Sequence, residues 1–244
     1  VMDKADVRRG SPTVHKKWNE NTAILSGDGM LVLAYQYLAQ CNPSYLKQIL
    51  DLANDTFVGI TDGQQFDMDF ETRNDVSELE YLEMIRLKTS ILLAACLKMG
   101  AILGGPSEED ANLLYSFGEK LGLAFQLQDD LLDVYGDVKV FGKRIGGDIV
   151  RNKKTYMYIN TCLLASDEER AILAKWAQYE GDDVDAKIEA VKGVYDSVGI
   201  KGKAEAKIEE LFNEAMSLLN KVSVLEEKKS VLREYALSLM NRVL

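Results

Sequence analysis

The sequence predicts an all-α fold, and three observations predict it. Apolar residues recur at helical spacing along most of the chain. Only three prolines interrupt its 244 residues, at Pro12, Pro43 and Pro106, so the stretch from Ser107 to Leu244 lacks the strongest helix breaker. No segment shows the apolar–polar alternation of a strand, and the GxGxxG and P-loop patterns of nucleotide-binding α/β folds are absent.

The elements follow in order. Val1 to Asn21 reads as a turn-rich segment. Thr22 to Gln40 reads as a helix, with Ile24, Leu25, Leu31, Val32, Tyr35 and Leu38 at helical spacing. Asn42-Pro43-Ser44 breaks it, and Ser44 as N-cap opens a helix to about Gln64. Phe66 to Asp75 reads as a polar bridge. Ser77 followed by Glu80 three residues later is a capping-box pattern, opening a long helix to about Leu103 that Gly104-Gly105-Pro106 ends. Ser107 starts another long helix, through Phe117, Leu121 and Phe125 to about Tyr135. Gly136 to Asn152 is a loop rich in Gly, Lys and Arg. Shorter helices are expected over Lys153–Leu164, Asp167–Ala177, Val184–Val198, Lys203–Val222 and Glu226–Arg242. No repeat, linker or low-complexity segment divides the chain, so a single domain over 1–244 is expected.

Composition excludes several function classes. Asp and Glu number 39 against 29 Lys and Arg, a net charge of −10, which argues against a nucleic-acid or anionic-membrane partner. A local cluster of cations or bound Mg2+ can still hold a small anionic substrate. Cys41, Cys96 and Cys162 are odd in number and far apart, and His15 is the only histidine, which argues against a Cys/His zinc site, and the thiols read as reduced core residues of a cytoplasmic protein. No apolar run approaches the roughly 20 residues of a membrane span, and no signal peptide is visible in a chain that does not begin with Met.

Three groups of residues carry chemistry. The first is Asp129-Asp130-Leu131-Leu132-Asp133, with Asp137 beyond. On a helix Asp129 and Asp133 lie one turn apart on one face, where like charges cost about 0.2–0.5 kcal/mol unless a cation compensates. Oxygen ligands without histidine suit Mg2+; a solvated acidic face is the other reading of the same residues. The second group is basic: Lys143-Arg144 and Lys153-Lys154 bracket Gly142, Gly146 and Gly147. Glycines let backbone pass close to a ligand and lysines act as point charges for phosphate, though a salt-bridged loop has the same composition. Lys88-Thr89 sits in the apolar run Ile85 to Ala95, and the residues alone favour a Lys88 that snorkels to the surface over one that points into a polar cavity. The third is Asp3 followed by Arg8-Arg9-Gly10, a pair able to grip a diphosphate but ordinary on an exposed surface.

Taken together and in order, these residues resemble the polyprenyl synthetase (trans-isoprenyl diphosphate synthase) family. Val1 to His15 is similar to the end of the family's first aspartate-rich motif and the RRGxPTxH after it. Leu25-Ser26-Gly27-Asp28, Gly63-Gln64-Gln65, Tyr81 to Thr89, Phe125 to Asp133 and Gly142 to Thr155 also fit. The resemblance implies an isoprenoid synthase-type helical bundle around a deep central cavity, and a prenyltransferase that condenses an allylic diphosphate with isopentenyl diphosphate into a short to medium polyprenyl diphosphate. It implies that Asp3, Asp129, Asp130 and Asp133 hold Mg2+. Lys88, Lys143, Lys153 and Arg8 would contact the allylic diphosphate, Arg9 the isopentenyl diphosphate, and Thr89 and Gln126 would sit beside the allylic cation. A homodimer is expected by the same analogy.

One departure stands out. The first motif should read DDxxD, and only its last carboxylate, Asp3, is present, so the chain is expected to lack the family's N-terminal helices. A non-catalytic partner subunit of a prenyl diphosphate synthase is the alternative. A di-iron bundle needs two Glu-x-x-His pairs and fails on one histidine.

Overall fold

Helices carry the chain almost throughout, as its proline-poor, periodically apolar sequence requires. The computed structural model describes all residues except 3, 9, 106, 137–144 and 241–244, and it falls into two units, Val1–Asp51 and Leu52–Leu244.

In the first unit the expected turn-rich segment proves to be a hairpin. β1 (Val7–Arg8) pairs antiparallel with β2 (Ser11–Pro12), placing Val7 opposite Pro12 and Arg8 opposite Ser11. Gly10 turns the chain at φ +75°, a left-handed conformation that costs glycine little. One helical turn follows, α1 (Val14–Lys17). α2 (Glu20–Leu38) begins two residues before Thr22, because the Asn19 side chain accepts the Thr22 N–H at 2.8 Å and caps it. α2 buries no residue fully, and Leu25, Met30 and Tyr37 on it are exposed.

α3 (Pro43–Thr72) corrects two expectations. Its cap is Asn42, whose Oδ1 accepts the Ser44 N–H at 2.9 Å; Pro43 takes the first helical position, where a missing N–H costs nothing. The helix also does not stop near Gln64. Phe66 and Phe70 stack one turn apart, Phe70 is buried, and Arg73 is held by Asp75 and Glu80 at 2.8 Å each, so packing carries a polar stretch on to Thr72.

α4 (Glu78–Ile85) opens on the expected capping box, with Ser77 and Glu80 bonded reciprocally. The helix then widens into a π-turn over Arg86–Ser90 before α5 (Ile91–Gly104). α6 (Glu108–Tyr135) starts at its Ser107 cap and ends where expected. Beyond it lie α7 (Gly147–Val150), inside the expected loop, and α8 (Tyr156–Leu164), which begins after Lys153 because Thr155 caps it. α9 (Asp167–Ala177), α10 (Val184–Ser197), α11 (Ile200–Lys221) and α12 (Glu226–Met240) complete the second unit.

α6 is the axis of this unit, packed lengthwise on α11 and α5. Leu127, Leu131, Tyr156 and Ile208 belong to one apolar cluster, and Phe117, Leu121, Leu219 and Ala236 to a second. Each fully buried Leu or Phe stabilises the fold by about 1.5–3 kcal/mol. Two glycine pairs set how closely the π-turn is held. A Cβ added at Gly63 of α3 would stand 2.4 Å from the Lys88 backbone N, and one at Gly122 of α6 would stand 2.6 Å from Ser90 Cα. Gly59 and Gly118 repeat the close approach against Ile91 and Ala94.

Among the described residues one stretch, Glu78–Gly104, is long and apolar enough to cross a membrane by length and composition, with mean hydropathy 1.5. No such run was expected; 33% of it is buried, and part of that face packs against the glycines of α3 and α6. The cysteines also differ from expectation. All are free thiols, but Cys41 and Cys162 are half-buried and Cys96 is exposed, since Ala94 and Ala95 take the buried positions of that turn.

Candidate functional site

The π-turn presents the first site residues. The Ile91 N–H bonds to the Arg86 carbonyl, five residues back, which offsets the turn from the α-helices on either side. Lys88 and Thr89 lie within it, and both are half-buried.

Lys88 does not snorkel into water. Its Nζ donates to Asp67 Oδ2 at 2.6 Å, and Lys153 Nζ stands 3.8 Å from the same oxygen. The side chains are 29%, 14% and 19% exposed for Lys88, Asp67 and Lys153, so screening by solvent is limited. Two ammonium groups on one carboxylate leave a net positive charge, built from three separate elements, that suits a phosphate oxygen.

Lys153 is delivered by a braced turn. Its N–H bonds to the Asp148 carbonyl at 3.0 Å, and Asn152 before it adopts φ +55°. The buried Lys187 ammonium donates to the Val150 carbonyl at 3.2 Å and to Asn152 Oδ1 at 2.7 Å, while Asn152 Nδ2 donates to the Ala177 carbonyl. Burial pushes the Lys187 ammonium pKa down.

A chain of hydrogen bonds runs from Thr89 into the core. Thr89 Oγ1 donates to Gln126 Oε1 at 3.1 Å, and Gln126 Nε2 donates to Asp130 Oδ1 at 3.1 Å. The Tyr81 hydroxyl donates to Asp130 Oδ2. Burial, reinforced by the charge of Asp148, pushes the Asp130 carboxyl up to about 8 against the pull of its two donors. Burial and then the Asp130 charge hold the Tyr81 phenol well above its usual range, so Tyr81 keeps its proton and is the donor.

On the same helix Asp129 is half-buried and Asp133 is nearly buried. Asp133 Oδ2 accepts the Asp148 N–H at 2.9 Å, and its carbonyl accepts the Gly146 N–H. Asp133 thereby caps α7 from α6, a service that Gly146, lacking a side chain, cannot perform. Among the described residues no three His, Cys, Asp or Glu gather as a metal site. The two carboxylates one turn apart still fit Mg2+, an ion that takes one or two carboxylates and fills its remaining positions with phosphate and water oxygens.

Arg8 is exposed on the hairpin of the first unit. Asp3, Arg9 and Lys143 lie outside the described residues. Three residues that sequence reasoning passed over are integral to the arrangement: Asp67, Tyr81 as the partner of Asp130, and Lys187. Asp67 was legible as the residue one turn after Gly63, had the Phe66/Phe70 spacing been read as helix. Nothing in the sequence marks Lys187.

Residues 1–194 match the family model described as polyprenyl synthetase. A geranylgeranyl diphosphate synthase of Methanosarcina mazei is 44% identical over 162 residues, 66% of this chain and 50% of that protein. The chain spans about half the length of the curated relatives it matches. A crystal structure of a geranylgeranyl pyrophosphate synthase superposes with a TM-score of 0.93 at 41% identity, over 100% of this chain and 75% of that one. A geranylgeranyl pyrophosphate synthase from Corynebacterium glutamicum, complexed with isoprenyl diphosphate and magnesium, gives a TM-score of 0.89 at 26% identity, over 99% and 73%.

Proposed function

Since this chain belongs to the polyprenyl synthetase family, we propose that the protein joins an allylic diphosphate to isopentenyl diphosphate, head to tail, giving a trans-polyprenyl diphosphate of short to medium length. One observation carries the reading: Lys88 and Lys153, far apart in sequence, converge on one oxygen of Asp67. The naming of the Methanosarcina mazei relative and the isoprenyl diphosphate bound by the Corynebacterium glutamicum protein support it.

In this reading Lys88, Lys143, Lys153 and Arg8 bind the allylic diphosphate, and Arg9 reaches isopentenyl diphosphate. Asp129 and Asp133, with Asp3, are the residues that would hold Mg2+. Bound Mg2+ supplies charge neutralisation for the departing diphosphate. The oxygens of Thr89 and Gln126 stabilise positive charge as the allylic C–O bond breaks. The electron pair of the isopentenyl double bond then forms the new C–C bond, and the proton lost from the adduct passes to the departing diphosphate. No covalent nucleophile is needed, but water must be kept from the cation. The exposed apolar side chains of α2 suit a protein that works as a homodimer, and the free thiols suit the cytoplasm.

The test is incorporation of radiolabelled isopentenyl diphosphate into extractable product by the full-length protein with geranyl diphosphate and Mg2+. Asp129→Ala should lower incorporation on the order of 10²-fold or more. Wild-type turnover by Asp129→Ala would sink the reading, and no turnover by the unmutated protein would favour a non-catalytic partner subunit.

A further inference from the structure

Gln126 has two unlike ends, a carbonyl oxygen and an amide nitrogen, and its use beside a cation depends on which end faces where. The oxygen accepts from Thr89 and the nitrogen donates to Asp130 Oδ1. That orientation holds only while Asp130 stays fixed, and Asp130 is fixed from its other oxygen by the Tyr81 hydroxyl. Tyr81 and Asp130 are 3% and 5% exposed, so water cannot replace either partner. Tyr81 stands on α4, one helical segment before the π-turn that carries Thr89. The same stretch thus supplies both ends of the chain, and α6 supplies the middle.

We infer that Tyr81 is a positioning residue for prenyl transfer, acting through Asp130 to aim the Gln126 oxygen, and that Asp130 braces this chain instead of ligating metal. The inference rests on the proposed prenyltransferase activity. Both Asp130 oxygens are engaged by protein donors in the described geometry, whereas Asp129 stands at the helix position one turn from Asp133. Removing the Tyr81 hydroxyl frees one Asp130 oxygen and lets the carboxyl group turn, and the Gln126 amide follows it.

The experiment uses Tyr81→Phe in the full-length protein, which keeps the ring and its packing. Relative to a wild type that incorporates label, kcat should fall about ten-fold, while KM for both diphosphates and the Mg2+ concentration for half activation stay within about two-fold. In a Gln126→Ala background Tyr81→Phe should cost little further, because the residue it acts through is gone. The same ten-fold loss in both backgrounds would mean a general structural effect and would overturn the inference. So would unchanged kcat in Tyr81→Phe, or a raised Mg2+ requirement in place of a lower kcat. If Tyr81→Phe fails to fold by circular dichroism, Asp130→Asn goes through the same cycle, where a rise in half-activating Mg2+ would identify Asp130 as a ligand and refute the brace. An inactive wild type would instead remove the proposed activity, and the inference with it.

Discussion

The Lys88 ammonium lies 2.6 Å from Asp67 Oδ2, tying the π-turn to α3 at the point where Gly63 lets the two backbones touch. This pair is shielded enough to be worth measuring. A double-mutant cycle of Lys88→Met and Asp67→Asn, read by urea denaturation, should give a coupling of about 1 kcal/mol. Lys88→Met should also raise the allylic diphosphate KM by about ten-fold. Unchanged KM and kcat would take Lys88 out of the substrate site.

The close approach at Gly63 predicts a contrast between two glycines. Gly63→Ala places a methyl group 2.4 Å from the Lys88 backbone N, which cannot rotate away, and should destabilise by about 2–3 kcal/mol. Gly193→Ala, in α10 with nothing within 4 Å of its new Cβ, should stabilise by about 0.5–1 kcal/mol through helix propensity. Urea midpoints at constant slope decide both.

Asp110 predicts an acid-dependent contribution. The Ser223 hydroxyl and then the Ser223 backbone N–H hold its carboxyl below the usual carboxylate range. Its stabilisation is therefore fully present above the unfolded value near ~3.9 and is lost as pH falls through the lower folded value. Asp110→Asn should lower the Tm at pH 7, and the gap to wild type should close below about pH 3. A gap that persists unchanged at low pH would show that the charge is not what Ser223 recognises.

Lys187 predicts a coupled loss of stability and binding. Lys187→Met removes the donor to the Val150 carbonyl and Asn152 Oδ1 in a buried setting, which should cost about 2–3 kcal/mol. The loosened turn should also raise the allylic diphosphate KM, since it carries Lys153. A destabilised variant with wild-type KM would separate the turn from substrate binding.

Much of the helical frame was legible because its signals are local. Ser77/Glu80 and Ser107 announce their caps within three residues, and α9 falls where the sequence placed it. What was missed depends on residues distant in sequence. α3 runs past Gln64 because Phe70 packs and Arg73 reaches α4, and neither is visible in a polar stretch read alone. Asp129 was singled out by its spacing from Asp133, and Lys88 and Gln126 by the family resemblance of the segments that carry them. Lys187 was not, because its partners, the Val150 carbonyl and the Asn152 side chain, lie 37 and 35 residues earlier and nothing around Lys187 points to them. The fate of Lys88 turned on Asp67, twenty-one residues earlier, which no reading of its own helix could supply.

The π-turn has a further consequence for what lengths of chain this fold accepts. It holds one more residue than an α-helix would use for the same advance, so Tyr81 and Ala94 are out of phase by that one residue. Drawing the same residues of Arg86–Ser90 into unbroken α-helix, with none removed, would swing one half about 100° around its axis relative to the other. Tyr81 could then face Asp130, or Ala94 could face Gly118, but not both. Evolution and engineering can therefore exchange side chains along the exposed positions of Glu78–Gly104 far more freely than they can add or remove a residue outside the π-turn, and a helix that looks uniform in composition is counted to the residue.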